Sequence, residues 1–482
     1  MVITAQRVSS GIDGLDDVLL GGFIPARTYL LTGPPGTGKT TLGWHFLTSG
    51  DAGEPALYIT FAEPESELRD NAARGGFDAE RVNVLDLTPG SHIFETVQTY
   101  DIFSVSEVER DPTTARIVEA VQRIKPRRVF VDSMTQLRYL APDVFHFRRQ
   151  ALSFLRYLVE QGATVLLTSE SSRETPDDDV RFIVDGVIEL STGSRARELK
   201  VSKFRGSDYR SGAHAMRLGP SGAQIFPRLI PEQHGRAFEP VILPSGLPQL
   251  DELLSGGIER GTVTIISGPT GVGKTTLGMQ FVKEATARGE RSAVYTFDER
   301  RETLIQRCEG VRIPVRQMLE RGTLSVVELE ALRFGPDEFA NMVRRDVEAR
   351  GTRLVMIDSI SGYRVSVAGH DIGERIHALG RYLQNIGVTL ILVDELREIM
   401  EFRVTDVGIS YLADNVLFLR YLEREVGEHI ELRKAVGVLK KRLSDFEKSV
   451  REFEITSNGV RIGEALRLSS ILASLPVDAD RR

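Results

Sequence analysis

The chain of 482 residues lacks the features that mark secreted, membrane-bound and nucleic-acid-binding proteins. Its only cysteine is Cys308, so it can form no intramolecular disulfide bond. No apolar run reaches the roughly 18 residues of a membrane-spanning helix, and residues 1–7 do not match a signal peptide. The net charge of −7 provides no overall basic field for nucleic acid or an anionic membrane. We therefore expect a cytoplasmic protein without a membrane partner, and the charge argues against nucleic acid.

One eight-residue motif occurs twice in the chain. Residues 33–40 have the sequence Gly-Pro-Pro-Gly-Thr-Gly-Lys-Thr, and residues 268–275, which begin 235 positions later, have Gly-Pro-Thr-Gly-Val-Gly-Lys-Thr. Both fit the phosphate-binding loop of nucleotide triphosphatases. Each copy follows an apolar, strand-like run and precedes a helix-like run, which is the context that this loop requires. The duplication predicts two nucleotide sites.

The composition of the loop suits ATP and Mg²⁺ as cofactors. Its glycines let backbone N–H groups turn toward the phosphates, and the following helix adds the positive end of its dipole. We expect Lys39 and Lys274 to reach the β- and γ-phosphates, and the hydroxyls of Thr40 and Thr275 to ligate Mg²⁺. The predicted nucleotide-binding residues are Gly36, Thr37, Gly38, Lys39, Thr40 and Thr41 in the first copy and Gly271, Val272, Gly273, Lys274, Thr275 and Thr276 in the second.

The duplication extends beyond the two loops. Residues 10–19 match residues 245–254 at the same offset, and each half then alternates apolar strands with helical patterns. Such alternation predicts an α/β fold, in which each domain has a mainly parallel sheet flanked by helices and binds ligands at the carboxyl ends of the strands. We predict a first ATPase domain over residues 1–236 with a linker at its end, a second over residues 237–463, and a C-terminal tail over residues 464–482.

An aspartate ends an apolar strand in each half. Asp132 follows Arg-Val-Phe-Val, and Asp358 follows Leu-Val-Met-Ile. In ATPases with this loop such an aspartate holds Mg²⁺. A strand-end aspartate can instead cap the next turn, but the phosphate loop in the same half favours the metal role. The predicted metal ligands are therefore Asp132 with Thr40, and Asp358 with Thr275.

Hydrolysis also needs a group that orients or deprotonates the attacking water. Another pair of matched strands ends in carboxylates, namely Glu63 in the first half and Asp298 and Glu299 in the second. Each lies where a strand exits toward the expected site, so these three are candidate catalytic acids. The alternative for each is a solvated loop acid.

These motifs, in this order and over nearly the whole chain, resemble the KaiC family, the double-domain circadian-clock branch of RecA-type ATPases. The resemblance implies two tandem RecA-like P-loop domains, a homohexameric double ring and slow ATP hydrolysis. Family members carry a Glu-Glu pair in each domain, and its first residue is the usual candidate base. Here the pairs are Ala62-Glu63 and Asp298-Glu299. We therefore expect Glu63 to act alone or first-domain hydrolysis to be weak.

The resemblance also assigns catalytic cations. The family has a Lys-x-Arg-Gly segment late in each domain, whose Lys and Arg reach the γ-phosphate held by the neighbouring subunit. Lys203 and Arg205 fit this segment completely, whereas Lys440 and Arg442 are followed by Leu443 where Gly is expected. A cation supplied by a neighbour stabilises charge in the phosphoryl-transfer transition state.

The resemblance further implies that the second domain can phosphorylate itself. Ser410 falls on the family's acceptor serine, but Tyr411 replaces the adjacent threonine, so only single-site serine modification is expected. The chain stops at Arg482, short of the family's longer tail. This does not support KaiA-type tail binding, while a KaiB-like protein remains a candidate partner.

We expect an ATP-hydrolysing hexameric switch protein with a candidate serine autokinase activity. One alternative is a RecA-type nucleic-acid-dependent motor or recombinase, which the net charge of −7 disfavours. The other is a nucleotide-dependent scaffold with little turnover, which Ala62 favours for the first domain.

Overall fold

The computed structural model describes residues 7–88, 110–139, 141–170, 177–193, 197–330, 334–366, 372–395, 412–426 and 429–466. The chain divides into two compact units, Met1–Arg228 and Leu229–Arg482. No helix in these described ranges is long and apolar enough to span a bilayer.

The first unit alternates strands and helices. Its described strands are β1 Thr28–Thr32, β2 Ala56–Thr60, β3 Val82–Asp86, β4 Arg128–Asp132, β5 Thr164–Ser169, β6 Gly186–Thr192, β7 Arg197–Phe204, β8 Ala213–Gly219 and β9 Gly222–Phe226. Its described α-helices are α1 Leu15–Val18, α2 Lys39–Thr48, α3 Glu65–Arg74, α4 Arg110–Ile124, α5 Met134–Tyr139, α6 Val144–Glu160 and α7 Asp178–Ile183.

These strands form one sheet in the order β3-β2-β4-β5-β1-β6-β7-β8-β9. The first six strands in that order, from β3 at the edge to β6, pair in parallel. Strands β7, β8 and β9 continue the sheet in antiparallel pairs. The carboxyl ends of β1, β2, β4 and β5 therefore meet at one edge, where a ligand site is expected.

The second unit repeats the arrangement. Its described strands are β10 Ile242–Leu243, β11 Ile258–Glu259, β12 Val263–Gly268, β13 Ser292–Thr296, β14 Leu324–Glu328, β15 Leu354–Asp358, β16 Thr389–Glu395, β17 Asn415–Val426, β18 His429–Lys441, β19 Arg451–Thr456 and β20 Gly459–Ala465. Its described α-helices are α8 Pro248–Leu253, α9 Lys274–Ala287, α10 Arg301–Glu309, α11 Val315–Glu320, α12 Pro336–Arg350, α13 Ile360–Ser366 and α14 Ile372–Asn385.

The main sheet of the second unit has the order β14-β13-β15-β16-β12-β17-β18-β19-β20, which is the order of the first sheet strand for strand. Six strands again pair in parallel and three continue in antiparallel pairs. The α/β class with a mainly parallel sheet flanked by helices, predicted from the sequence, is confirmed in both units.

Both faces of each parallel sheet are covered, which explains the continuous apolar strands. Successive side chains of a strand point to opposite faces. Tyr29 and Leu31 of β1 accordingly pack in a cluster with α2, whereas Leu30 packs in a cluster with α4 and α6. Helix α6 is capped at its N-terminus by Asp143, whose carboxylate accepts a hydrogen bond from the backbone N–H of His146 at 2.8 Å.

The structure divides the chain at residues 228 and 229, eight residues before the predicted boundary at 236. Residues 229–236 belong to the second unit because they bond to α14. The Arg236 N–H donates to the Asn385 carbonyl at 2.9 Å, and the Asn385 side-chain amide donates to the Pro231 carbonyl at 2.9 Å. The assignment of residues 464–482 as a tail stays a prediction.

Candidate nucleotide sites

The first phosphate loop links β1 to α2 at the carboxyl edge of the sheet. Gly38 has a φ of 103°, and a Cβ there would lie 2.9 Å from Leu218 Cδ1. Only glycine adopts that backbone geometry without strain while leaving the N–H groups accessible. The Lys39 ammonium donates to the carbonyls of Gly33 at 2.7 Å and Pro34 at 3.1 Å, which holds it across the loop.

The second loop links β12 to α9 in the same way. Gly273 has a φ of 115°, and a Cβ there would lie 2.5 Å from Ile455 Cδ1. The Lys274 ammonium donates to the Pro269 carbonyl at 2.8 Å. Burial lowers the pKa of Lys39 and of Lys274, with nearby carboxylates opposing the effect. The charged form of both lysines would therefore be stabilised when phosphate oxygens replace the loop carbonyls as its hydrogen-bond partners.

The side chains of Thr37 and Val272, three residues before the last threonine of each loop, point inward. Thr37 is buried and its hydroxyl donates to the Pro34 carbonyl at 2.8 Å, while Val272 is fully buried. Of the predicted nucleotide-binding residues, these two can therefore offer only their backbone N–H groups. Thr40 and Thr41, which carry hydroxyls, instead line an open cleft beside the first phosphate loop.

Asp132 of the first unit accepts three hydroxyl hydrogen bonds. The hydroxyls of Thr40 and Tyr58 each donate to its Oδ2 at 3.0 Å, and Thr168 donates to its Oδ1 at 2.5 Å. The predicted metal pair, Thr40 and Asp132, thus lies in direct contact. A hydroxyl and a carboxylate side by side form a hard oxygen pair that fits Mg²⁺.

Asp358 of the second unit has a less polar surrounding. Its pKa is raised to about 6 because it is buried, and a hydrogen bond from Thr275 only partly opposes this. Strand register matches Val294 to Tyr58 and Val393 to Thr168, so two apolar side chains stand where the first unit has hydroxyls. The Thr275–Asp358 pair also fits Mg²⁺, but there a proton competes with the metal below about pH 6.

Glu63 lines a cleft of about 400 Å³ together with Lys39, Thr40 and Asp132. Burial, and then the negative charges of Asp132 and Glu67, raise the pKa of Glu63. Within the described part of the chain it has no ion-pair partner. A carboxylate with a raised pKa in a cleft is suited to accept a proton, so the first unit keeps a candidate base even though Ala62 lines the same cleft.

The two acids of the second unit are both engaged. The Ser359 hydroxyl donates to Asp298 Oδ2 at 2.5 Å. The Arg307 guanidinium donates to both oxygens of Glu299, from Nη2 at 2.6 Å and from Nε at 3.1 Å. Sequence reasoning missed Arg307, and it also missed Tyr58 and Thr168. The two hydroxyl residues sit on the strands that flank β4, so they are identified by the strand order of the sheet.

The candidate cations from the Lys-x-Arg segments do not enter the phosphate site of their own unit. The Arg205 N–H donates to the Asp185 carbonyl, and the Asp185 N–H to the carbonyl of Thr28, the first residue of β1, both at 2.9 Å. The loop follows the last residue of β1, about 13 Å away at 3.3 Å per residue. Arg205 therefore lies at the opposite edge of the sheet.

Lys203 of the first unit and Lys440 and Arg442 of the second lie at the corresponding edge of their own sheets. The Lys203 ammonium donates to the carbonyls of Arg181 and Val184 at 2.6 Å. Lys440 donates to the Ala413 carbonyl at 2.7 Å, and Arg442 pairs with Asp414 at 3.3 Å. Asp414 in turn donates its N–H to the carbonyl of Val263, which begins β12. Ser410, the candidate acceptor, lies outside the described residues.

A second cleft of about 310 Å³ adjoins the first phosphate site and shares Thr40, Thr41 and Glu63 with it. Trp44, Phe77 and Leu218 give it apolar walls. Its position beyond the phosphate loop and its walls suit a nucleobase. Each unit has a glycine-rich loop after β1 or β12 and a strand-end aspartate hydrogen-bonded to the last threonine of that loop. These features define a P-loop nucleotide-binding domain, and the chain has two in tandem.

Comparison with known proteins specifies the family. The family model described as "ATPase: KaiC" matches residues 8–230 and again residues 243–467. The chain therefore belongs to the KaiC ATPase family, and the suspected resemblance and its two RecA-like domains are confirmed. Membership in this family of ATPases implies nucleotide binding.

The relatives cover nearly the full length of the chain. It is 28% identical to the circadian clock oscillator protein KaiC of Parasynechococcus marenigrum (strain WH8102), over 99% of this chain and 94% of the relative. It is 28% identical to the circadian clock protein KaiC3 of Synechocystis sp., over 98% and 95%. It is 27% identical to the circadian clock oscillator protein KaiC of Synechococcus elongatus, over 96% and 90%.

Proposed function

We propose that this chain is an ATP-hydrolysing switch protein that works as a homohexameric double ring, with Mg²⁺ as its metal. The observation that carries the proposal is the first cleft, in which Lys39, Thr40, Asp132 and Glu63 converge around an open phosphate loop. The relatives named as circadian clock proteins suggest that the switch serves timing or another regulated response.

The side chains of the first site can be given specific roles. Lys39 would leave the carbonyls of Gly33 and Pro34 for the β- and γ-phosphates. Thr40 and Asp132 would hold Mg²⁺, which when bound neutralises phosphate charge. Glu63 would accept the proton of the attacking water. Tyr58 and Thr168 would hold the Asp132 carboxylate in place by their hydrogen bonds.

The position of Arg205 supports assembly. A catalytic cation that lies at the sheet edge opposite its own phosphate loop can serve only the site of another copy. Arg205 is exposed and has no ion-pair partner in the described ranges. A head-to-tail contact that brings Arg205 to the neighbour's nucleotide forms a ring if the rotation between successive subunits adds up to a full turn. ATP should therefore favour ring closure because the nucleotide completes the contact.

Light scattering in saturating ATP and Mg²⁺, compared with nucleotide-free protein, tests this proposal. We expect a six-subunit particle with ATP and smaller species without it, together with phosphate release. A monomer in ATP would contradict the ring. A particle that releases phosphate only when single-stranded DNA is added would favour the recombinase-type alternative.

Three finer assignments stay predictions of the proposed function. Phosphopeptide mass spectrometry after prolonged incubation with ATP tests autophosphorylation at Ser410. An unmodified Ser410 would leave ATP hydrolysis as the only reaction of the second domain. A KaiB-like partner is expected from the family resemblance, and a cytoplasmic location from the sequence features described above. Binding of a KaiB-like protein to the ATP-bound form, measured by size-exclusion chromatography, would test the partner.

A further inference from the structure

Arg307 in α10 connects the acid pair of the second unit to its phosphate loop. Its Nη2 and Nε donate to the two oxygens of Glu299 at 2.6 and 3.1 Å, and its Nη1 donates to the Thr276 hydroxyl at 3.3 Å. The Glu299 side chain is 23% exposed and the Arg307 side chain 37%. The pair therefore sits at the wall of the nucleotide site, partly withdrawn from water.

The first unit has Asn71 at the matching place. The two acids are equivalent because the Thr60 hydroxyl donates to the Glu63 carbonyl at 2.8 Å and the Thr296 hydroxyl to the Glu299 carbonyl at 2.9 Å. Asn71 lies eight residues after Glu63, as Arg307 lies eight residues after Glu299. Asn71 lines the cleft beside Glu63 but carries no charge.

This difference changes what the acid can do. A carboxylate that accepts two charge-assisted hydrogen bonds from one guanidinium is held in a fixed orientation, and its negative charge is compensated. Such a group is a poor acceptor for the proton of water. The other acid of the second unit, Asp298, is turned to the Ser359 hydroxyl at 2.5 Å. Glu63 has neither restraint within the described part of the chain.

Resting on the proposed ATPase function, we propose that Arg307 is a positioning residue that restrains Glu299. This restraint makes the second unit a site that holds ATP and turns it over slowly, while the first unit carries most hydrolysis. The hydrogen bond from Arg307 to Thr276, the residue that directly follows the phosphate loop, couples the restraint to the place where we propose the nucleotide binds.

The test measures phosphate release by the full chain in a Glu63→Gln background, in which the second site is the remaining source of turnover. Adding Arg307→Asn, the residue of the first unit, should raise kcat at least about tenfold, because it returns a general base whose contribution is commonly 10²–10⁴-fold. The KM for ATP should not fall. Arg307→Lys should keep turnover low, because the cation beside Glu299 is retained.

Two controls separate restraint from loss of charge or of fold. Arg316→Asn removes an exposed arginine that pairs with Glu302 and Glu309, away from the phosphate loop, and should leave kcat unchanged. Adding Glu299→Gln to the Arg307→Asn chain should abolish the gain. The reciprocal Asn71→Arg change in an otherwise wild-type chain should lower first-site turnover about tenfold or more.

The outcomes distinguish this inference from the proposed function. Unchanged kcat in the Arg307→Asn chain, or a gain that survives Glu299→Gln, overturns the restraint. Should the Arg307→Asn chain not fold, full turnover in the Asn71→Arg chain overturns it instead. Wild-type protein without phosphate release would refute the first-site assignment, but release after Arg307→Asn would still support the restraint. No release by either chain refutes both.

Discussion

The two nucleotide sites share one loop and one strand order, yet their surroundings differ at each catalytic position. Asp132 of the first site accepts hydrogen bonds from three hydroxyls, whereas apolar residues replace two of those donors around Asp358. Glu63 faces an open cleft, whereas Glu299 lies in the fork of Arg307. The difference shows that the same phosphate loop occurs in two chemically different surroundings, and we expect these surroundings to set the two hydrolysis rates.

The comparison reverses the division of labour that the acid pairs suggested. The motif Ala62-Glu63 favours weak hydrolysis in the first unit, because its first acid is missing. The geometry favours the opposite assignment, since one accessible acid with a raised pKa is a better base than two engaged ones.

The largest expected difference concerns the cations that we propose are supplied by a neighbouring subunit. Arg205→Ala should lower ATP turnover about 10³-fold, the scale of a missing catalytic arginine, with ATP binding retained. Arg442→Ala should lower it less than about tenfold, because Arg442 already pairs with Asp414 and serves the slow site. Steady-state phosphate release and equilibrium ATP binding measure both effects. Equal losses in the two variants would contradict the difference that we expect between the two sites.

The next difference concerns the two strand-end aspartates and pH. Asp358 titrates near 3.8 when unfolded and near 6 when folded, so the free energy of unfolding falls as pH rises from about 4 to about 6. Above pH 6 the full penalty remains, about 3 kcal/mol for a shift of about two units. Without nucleotide, Asp358→Asn should therefore stabilise the second unit by up to that amount at pH 7.

Hydrogen exchange of peptides from the second unit, with and without urea, measures this gain. It should shrink to a small part of that amount near pH 4, where Asp358 is protonated in the folded state and about half protonated in the unfolded state. The first unit should not respond, which provides the internal control. A stabilisation that is the same at pH 4 and pH 7 would show that the carboxyl charge is not its cause.

The smallest expected difference compares two matched glycines. A Cβ at Gly43 would lie 2.2 Å from Phe130 Cε1, whereas a Cβ at Gly278 would lie 2.7 Å from Met356 Cε. The aromatic ring cannot move aside, but the end of a methionine can. Gly43→Ala should cost about 1–3 kcal/mol through overpacking, and Gly278→Ala less than about 1 kcal/mol, because alanine favours the helix.

Fluorescence of Trp44, the only tryptophan, reports unfolding of the first unit in urea. Hydrogen exchange in α9 reports the second unit. A larger loss for Gly278→Ala than for Gly43→Ala would contradict the packing difference between Phe130 and Met356.

The sequence predicted what repeats locally and missed what depends on pairing across the sheet. The two loops, the strand-end Asp132 and Asp358 and the parallel sheet follow from motifs and from continuous apolar runs. Two of the three donors to Asp132, Tyr58 and Thr168, come from β2 and β5, so finding them requires strand order and register. Arg307 reaches Glu299 because α10 folds back beside the strand exit, and nothing in the composition of α10 distinguishes it from a solvated arginine.

The most direct test of the account compares phosphate release by full-length Glu63→Gln and Glu299→Gln proteins under identical conditions, with ATP binding checked for both. The account predicts a loss of about 100-fold for Glu63→Gln, the low end of a general base's contribution, and a change of less than about twofold for Glu299→Gln. A chain that loses most turnover with Glu299→Gln and keeps it with Glu63→Gln would contradict the assignment of hydrolysis to the first site.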